Sequence, residues 1–326
     1  MIVQLMLSCM LMLLPNRNGK IIIVASENQL QQALQVAKPG DEIVIKAGTY
    51  FGNLSISATA SGTSAKPIIL RGEGKVILNG NTIVTGYILH IKANYWVIKN
   101  IELTNGLKGL MCDGASYNVI DSITVNNIGE EGIHFRQFST HNFLQNSNIS
   151  HTGLKTADYG EGVYLGTAVS NWAKITNGKE DKSDSNKVIN NHIGPNITAE
   201  CIDVKEGSTG GFISGNYFDA TGITGANSGD SWMDIKGNGY LIENNNGYNP
   251  EGSVLKDGFQ VHCAVDGWGN YNIFKNNLCE VNANGYGINV TFVSSKGKVI
   301  GTKVHSSNVV KAAVKGLTNI EVINDK

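Results

Sequence analysis

The chain has 326 residues, of which 26 are Lys or Arg and 27 are Asp or Glu, so its net charge at neutral pH is −1. This balance provides no basic surface for nucleic acids or anionic membranes, and we expect neither as a partner. Asn (38) and Gly (39) are abundant while Pro (5) is scarce, which favours a fold with many tight turns. The five cysteines show no metal-binding spacing and their number is odd, which argues against a disulfide framework.

The first twenty residues contain an apolar run from Ile2 to Leu14, which is too short to cross a bilayer. We interpret residues 1–20 as a signal peptide, although the usual positive charge is missing, or otherwise as an apolar N-terminal segment. The protein is therefore expected to be secreted, extracellular or periplasmic, with no membrane span. Residues 21–326 are predicted to form a single domain.

A short amphipathic helix is predicted from Glu27 to Lys38, because Leu30, Leu34 and Ala37 recur at helical spacing. Pro39 and Gly40 end it. After this point helical periodicity disappears, and short alternating runs that end in Gly or Asn predict β-strands.

One set of these strands repeats along the chain. Its central residues are separated by 22, 24, 45, 24, 29 and 32 residues, and they are Ile98, Ile120, Leu144, Ile189, Ile213, Ile242 and Phe274. A repeat in the twenties with insertions of variable length is typical of a solenoid. Because the units contain only strands and turns, we predict an all-β parallel β-helix with Asn side chains stacked at one corner of each coil.

A second set of strands lies between the members of the first. Alternation directs its apolar pairs into the core, and these pairs are Ile133/Phe135, Val163/Leu165, Ile202/Val204, Met233/Ile235, Phe259/Val261 and Ile288/Val290. The remaining residues of these strands form three outward columns. The central column is His134, Tyr164, Asp203, Asp234, Gln260 and Asn289; the basic column is Arg136, Gly166, Lys205, Lys236, His262 and Thr291; the acidic column is Glu131, Glu161, Glu200, Ser231, Asp257 and Tyr286.

Two further segments of the chain do not follow the repeat. The polar stretch from Thr167 to Ser185 is expected to be a loop beside the three columns, and residues Lys303 to Lys326 are expected to supply one or two closing strands.

The outward face concentrates carboxylates and lysines, which is compatible with a surface ion-pair ladder or with catalysis on an acidic polysaccharide. β-Elimination from a uronic acid needs a neutralised sugar carboxylate, a base for the C5 proton and an acid for the leaving oxygen. A calcium ion held by carboxylates would meet the first need. Lys205 could act as the base if a neighbouring cation or desolvation lowered its pKa, while Lys236 could protonate the leaving oxygen or bind the carboxylate.

The segment from Ser26 to Leu78, with AKPGDEIVIKAGTY and SGTSAKPIILRGEGKVIL, resembles the opening of polysaccharide lyase family six, which includes chondroitinase B and alginate lyases. The resemblance implies a right-handed parallel β-helix with an N-terminal capping helix. It also implies that Glu200 binds Ca²⁺ and that Lys205 is the base. Lys236 stands where the family has an arginine that acts as acid or substrate clamp.

Two departures from the family pattern concern this site. Lys236 lacks the bidentate geometry of an arginine. The family has a second glutamate two residues before the first, and here Thr198 occupies that position, so Ca²⁺ would need Glu161 or Asp203 as a further ligand.

We predict that the remaining polar residues of the face bind sugar, namely His134, Arg136, Tyr164, Asp234, Gln260 and His262. The expected substrate is an acidic, uronate-containing polysaccharide such as alginate or a glycosaminoglycan, and the expected protein is a monomer. Two alternatives stay open: a glycoside hydrolase with Asp203 and Asp234 as its carboxylate pair, and a β-helix that binds carbohydrate without catalysis.

Overall fold

A computed structural model of the protein describes residues 19–291 and 293–325. Almost all of the predicted signal peptide therefore lies outside the described residues. Helix α1 (Glu27–Val36) starts after Ser26, whose hydroxyl accepts a hydrogen bond from the Gln29 backbone N–H. Leu30 and Leu34 are fully buried and close the N-terminal end of the core, which confirms the capping helix.

Thirty-one strands follow one another in the described part of the chain. The first fifteen are β1 (Ile21–Val24), β2 (Glu42–Phe51), β3 (Leu54–Ile56), β4 (Ile68–Asn79), β5 (Tyr87–Ile91), β6 (Trp96–Lys99), β7 (Glu102–Gly106), β8 (Lys108–Asp113), β9 (Val119–Asp121), β10 (Thr124–Ile128), β11 (Ile133–Arg136), β12 (Phe143–Gln145), β13 (Asn148–Ile149), β14 (Val163–Leu165) and β15 (Lys187–Ile189). The others are β16 (His192–Ile193), β17 (Ile202–Val204), β18 (Phe212–Ser214), β19 (Tyr217–Asp219), β20 (Met233–Ile235), β21 (Leu241–Glu243), β22 (Asn246–Tyr248), β23 (Phe259–Val261), β24 (Ile273–Lys275), β25 (Leu278–Ala283), β26 (Ile288–Val290), β27 (Val293–Ser294), β28 (Gly297–Lys298), β29 (Lys303–His305), β30 (Val309–Ala313) and β31 (Val322–Ile323).

These strands wind into coils with three parallel ladders. A nine-stranded front sheet runs in the order β3, β5, β8, β11, β14, β17, β20, β23, β26. The other two ladders belong to one sheet, because the long strand β4 pairs with both β6 and β7 and so joins them. The short pair β27 and β28 is antiparallel. The predicted parallel β-helix is thus confirmed.

The core follows the predicted alternation. In the front sheet Ile133 pairs with Val163, and Val163 pairs with Ile202 on the next coil. All three are fully buried, as are the other predicted core pairs to within about 1% exposure. Parallel pairing in register therefore stacks equivalent apolar side chains along the axis, so that each coil covers the apolar face of the one before it.

Buried asparagine ladders hold two corners of the coils. At one corner Asn118, Asn142 and Asn186 are linked, each amide oxygen accepting from the preceding asparagine of the ladder. At the other corner the ladder runs through Asn191, Asn216, Asn245, Asn277 and Asn308. The residue before several of these has a positive φ, for example Asn190 (56°) and Asn244 (56°). Both the buried amides and the left-handed corners explain why asparagine is so abundant.

Two expectations about the insertions were wrong in detail. The stretch from Thr167 to Ser185 contains helix α2 (Val169–Ile175) and is anchored by the buried carboxylate of Asp181. That carboxylate accepts hydrogen bonds from the backbone N–H groups of Gln137 (2.9 Å) and Phe138 (2.8 Å), so the insertion is tied to the front sheet.

The C-terminal stretch supplies three strands, β29 to β31, instead of one or two. Strands β29 and β30 each extend one of the two back ladders, and β31 pairs with β29. Among the described residues, neither α-helix has the length and apolarity that a membrane span requires.

We predict that Asn216→Ala destabilises the protein by about 2–3 kcal/mol, because it leaves buried partners of the ladder without a hydrogen bond. Asn216 accepts from Asn191 and donates to Val188 O and Asn245 Oδ1, each at 2.9 Å. Urea unfolding should show a lower midpoint at an unchanged slope. The control Asn246→Ala, an exposed position on β22, should stay within about 0.5 kcal/mol of the native chain. Equal midpoints for the two variants would contradict the structural role of the ladder.

Candidate active site

The three outward columns lie in register on the front sheet. Tyr164 pairs with Asp203, Asp203 with Asp234, and Asp234 with Gln260, on successive coils. Neighbouring rungs of a sheet are about 4.8 Å apart, so side chains of one column can contact each other directly. The charged residues selected from the sequence are consequently brought together.

A continuous chain of alternating charges crosses three coils of this face. Lys205 forms an ion pair with Asp203, which also pairs with Lys236 at 3.0 Å. Lys236 contacts Asp234 at 2.6 Å, and Asp234 in turn contacts His262 Nδ1 at 2.7 Å. The side chains of both lysines and both aspartates are at most 16% exposed, so this is no solvated surface ladder.

The chain of charges fixes the protonation of its members. Burial lowers the pKa of Lys236, but Asp203 and Asp234 raise it more, and the net pKa lies above its ordinary value. Burial raises the pKa of Asp234, yet Lys236 and His262 bring it well below its usual range. Burial lowers the pKa of His262, but its hydrogen bond to Asp234 and the charge of that carboxylate raise it more, so the net pKa lies above its ordinary value.

Beside this chain lies a cluster of buried carboxylates, Glu161, Glu200 and Asp203. Their side chains offer oxygens that all lie within 4.8 Å of one another. Burial and the charges of Glu131 and Asp203 raise the pKa of Glu161 to about 8. Burial and Asp203 likewise raise the pKa of Glu200 well above its ordinary value.

This cluster fits a hard divalent cation. Glu161 is 2% exposed, and its Oε2 has no hydrogen-bond partner among the described residues. A buried polar atom of this kind calls for a ligand. Three carboxylates converging at short range supply the oxygen donors that Ca²⁺ prefers. The residues present can therefore hold such an ion, while Thr198 donates its hydroxyl to Ala157 O (3.0 Å) instead.

Lys205 lies against both the acidic cluster and Tyr164. Its ammonium nitrogen is 4.9 Å from the centroid of the Tyr164 ring. Burial lowers the pKa of Lys205, but Asp203, Glu161 and Glu200 raise it, and the net pKa is well above the ordinary value. The carboxylates that could bind a cation are thus the same ones that keep Lys205 protonated.

A small pocket of about 360 Å³ adjoins Tyr164 on the N-terminal side of the cluster. It contains His134 and Arg136 and several residues that the sequence analysis missed, namely Tyr87, Lys108, Glu130, Tyr159 and Lys174. Lys108 lies one coil before Glu131 and forms ion pairs with Glu130 (2.9 Å) and Glu131. Extending the columns by one coil would have reached Lys108, but Met111 is apolar and breaks the polar pattern there.

Three residues predicted to bind sugar are bonded to the protein itself. His134 is buried, and its Nε2 lies 2.9 Å from Gly166 O. Arg136 binds Asp113 through two hydrogen bonds, of 2.6 and 3.2 Å. Gln260 donates to the carboxylates of Asp230 (2.8 Å) and Asp257 (3.1 Å). Arg136 still lines the small pocket, whereas Gln260 braces the acidic side chains of adjacent coils.

The hydrolase alternative requires one carboxyl of the pair Asp203 and Asp234 to be a proton donor. Lys236 lies between the two carboxylates and contacts both. The pKa of Asp234 is lowered, which is wrong for a proton donor, and Asp203 is engaged in ion pairs with two lysines. The geometry does not support a glycoside hydrolase.

Fold and site together define a β-helix with a buried, charged groove on one face, which is the architecture of carbohydrate-active β-helix proteins. Comparison with known proteins narrows this class. The family described as Pel9A-like, right handed beta helix region, matches residues 16–162. Pectate lyase PEL9 of Emericella nidulans is 33% identical over 138 residues, which cover 37% of this chain and 34% of the relative, so the match spans only about a third of that relative's length.

A solved alginate lyase from Paenibacillus sp. str. FPU-7 is 37% identical and has a TM-score of 0.85, with 92% of this chain and 98% of that chain covered. An alginate lyase of polysaccharide lyase family six shares the fold at 16% identity and a TM-score of 0.51, over 94% of this chain and 52% of that one. The chain belongs to the right-handed parallel β-helix polysaccharide lyases, as its resemblance to them predicted.

We predict that the Glu161 carboxyl makes stability pH-dependent when divalent ions are removed. Its pKa is raised from 4.5 to about 8 in the folded protein. The unfolded chain therefore releases this proton first, and stability should fall as pH rises from about 4.5 to 8. The measurement is the melting temperature as a function of pH in the presence of a chelator. The decline should be smaller in Glu161→Gln than in the native chain, and the variant should be the more stable of the two at pH 8. The control Glu280→Gln, on an exposed position of β25, should keep the native slope; an unchanged slope in Glu161→Gln would contradict the assignment.

Proposed function

We propose that the protein cleaves a uronate-containing polysaccharide, most simply alginate, by β-elimination on its front sheet. The observation that carries the proposal is the buried Lys205, which is the first member of the chain of charges and lies against the acidic cluster. The reaction removes the C5 proton of a uronate, breaks the bond between C4 and the bridging oxygen, and forms a C4=C5 double bond. The bridging oxygen leaves with a proton that we assign to the Tyr164 phenol, which regains one from solvent.

Lys236 supports this reaction as a fixed cation. It is held between two aspartates and stays protonated, since both raise its pKa. A permanent positive charge next to the scissile position can bind the sugar carboxylate and stabilise the charge that develops when C5 loses its proton. Binding of the carboxylate suits Lys236 better than proton donation, because its raised pKa makes it a weak acid.

Lys205 is assigned the role of base. A neutral amine can accept the C5 proton only if the carboxylates around it no longer hold it as an ammonium. We assign Glu161, Glu200 and Asp203 as the ligands of a Ca²⁺ ion, which when bound would neutralise negative charge at the site and acidify the C5 proton. With those three carboxylates engaged, burial remains as the main influence on Lys205, and burial lowers its pKa.

We assign Tyr164 to the leaving oxygen. Its pKa is raised well above the ordinary value by burial and by Asp203, so the phenol keeps its proton. Its ring lies beside the Lys205 ammonium, and its strand β14 pairs directly with β17, which carries Asp203. The hydroxyl can therefore donate a hydrogen bond to a sugar oxygen next to the base.

The choice of alginate rests on the similarity along almost the whole chain to an enzyme described as an alginate lyase. The sequence similarity to pectate lyase PEL9 covers 37% of this chain, and the solved pectate lyase Pel9A covers 94% of it but at only 16% identity. Polymeric uronates do not cross membranes, so the proposal includes export of the protein, in agreement with the apolar run at its N-terminus. We propose that it acts as a monomer, since all the residues assigned to the site come from one chain.

Lys205→Ala should lower kcat by at least about 10²–10³, because the base is lost. The measurement is the ultraviolet absorbance of the C4=C5 double bond with alginate in Ca²⁺. Asp203 keeps Lys236 as a partner in this variant, but the loss of the buried ammonium should lower the melting temperature, so activity is compared well below it. The control Lys99→Ala, on β6 of a back ladder, should retain full activity. Residual activity within tenfold of the native enzyme would refute the role of Lys205.

Removal of divalent ions should abolish activity, and Ca²⁺ should restore it while Mg²⁺ restores it less, because a three-carboxylate site suits the larger ion. Calorimetric titration of the chelated protein with Ca²⁺ supplies a readout that is independent of turnover. Glu200→Gln should weaken Ca²⁺ binding at least tenfold, whereas Glu280→Gln should leave it unchanged. Full activity in excess chelator would exclude a role for the ion.

A further inference from the structure

A cleft of about 720 Å³ lies on the C-terminal side of the site and contains none of the catalytic residues proposed above. Loops before β23 and β26 and the end of β30 form it. Its polar lining comprises Glu251, Ser253, Lys256, Asp257, Asn282, Asn284, Asn289 and Lys315.

This cleft continues the columns that form the site. Asn289 belongs to the central column, where it pairs with Gln260, and Gln260 pairs with Asp234. Asp257 belongs to the acidic column. The cleft is therefore reached two to three rungs beyond Asp203 and Asp234, roughly 10–15 Å along the axis. A polysaccharide laid along the front sheet would enter it without changing direction.

The walls of the cleft are held in place by the protein. Asp257 is buried, and its carboxylate accepts from the Tyr286 backbone N–H (2.7 Å) and from Gln260 (3.1 Å) and Asn289 (2.9 Å). The backbone N–H groups of Val314 and Lys315 donate to Ala283 O (3.1 Å) and Gly285 O (3.0 Å). The cleft is thus formed before a ligand binds.

Its chemistry suits an acidic sugar chain. Lys256 is 73% exposed, so it can turn from Asp230 (2.6 Å) to a ligand. Lys315 is exposed and lies 5.5 Å from the centroid of the Tyr286 ring. The two lysines offer charge to uronate carboxylates, while Asn282, Asn284 and Ser253 offer hydrogen bonds to hydroxyl groups. Glu251 and Asp257 bring the formal charge of the lining to zero, but the Asp257 oxygens are engaged by three donors of the protein, so the exposed lysines are free to meet a ligand.

We propose that this C-terminal cleft is an extended subsite that holds the uronate units of the polymer beyond the scissile bond, with Lys256 and Lys315 binding their carboxylates. The inference rests on the proposed function. It adds the direction in which the polysaccharide runs across the protein, and it names Lys256 and Lys315 as the side chains that favour long substrates. The small pocket on the other side of the site is half the volume and more enclosed by α2, so the longer part of the substrate lies toward the C-terminal coils.

The test compares binding of a short and a long ligand to the full chain. Saturated tri- and octasaccharides from acid hydrolysis of alginate are titrated calorimetrically into Lys205→Ala and into the same chain with Lys256→Gln and Lys315→Gln added. Loss of two exposed charge contacts should weaken octasaccharide binding roughly three- to tenfold. Trisaccharide binding should be unchanged, since three units fill only the site and the small pocket.

The matched control carries Lys298→Gln and Lys303→Gln in the Lys205→Ala background, which removes two exposed lysines of the same coils outside the cleft. An octasaccharide affinity that is unchanged, or that falls equally in this control, overturns the inference. So does an equal loss for the trisaccharide, which would indicate a structural effect, and so does an octasaccharide that does not bind.

Turnover separates this inference from the proposed function. If the native chain produces no C4=C5 absorbance but the length-dependent loss of binding is observed, the subsite stands and the lyase assignment fails. If absorbance is produced and binding is unaffected by the two substitutions, the lyase stands and the subsite fails.

Discussion

The register between coils is the constraint on which both the fold and the site depend. Parallel pairing places each residue directly beside its equivalent on the next coil, at a spacing of about 4.8 Å. Where the stacked residues are asparagines, this spacing lets one amide donate to the next, as in the ladder through Asn216 and Asn245. Where they are charged, the same spacing forces carboxylates and lysines into contact whether or not their charges are compatible.

On the front sheet, the register between coils determines which charged side chains are in contact. In the charge chain, lysines and aspartates alternate across the coils, and each partner stabilises the ionised form of its neighbour. In the acidic cluster, by contrast, Glu161 lies beside Glu200 and Asp203, and burial together with the charges of Glu131 and Asp203 raises its pKa to about 8. Burying like charges at this distance is unfavourable unless something neutralises them, so the cluster has an affinity for protons or for a divalent ion that follows from its position.

The sequence allowed the columns and the core to be predicted because both depend only on strand alternation and on a recurring period. Strand alternation alone places Ile133, Phe135 and their equivalents in the core, where they are buried, and the recurring period brings the three residues of the acidic cluster to one face. The irregular parts were not accessible in this way. Asp181 anchors the α2 insertion through backbone N–H groups about forty residues earlier in the chain, and such contacts leave no periodic signal. Met111 interrupts the polar column, which concealed Lys108 and the small pocket behind it.

Base and cation cannot be assigned separately in this site. Lys205 forms an ion pair with Asp203 of the acidic cluster, and the three carboxylates that raise its pKa are the three that converge for an ion. A lysine that served as base without the ion would have to lose its proton against three negative charges, which is the least favourable condition for a neutral amine. A site with the ion but without the lysine would lack the group that takes the proton. The two functions are therefore coupled through Asp203, which contacts Lys205 and Lys236 and also belongs to the acidic cluster, so the central column links charge neutralisation to proton transfer.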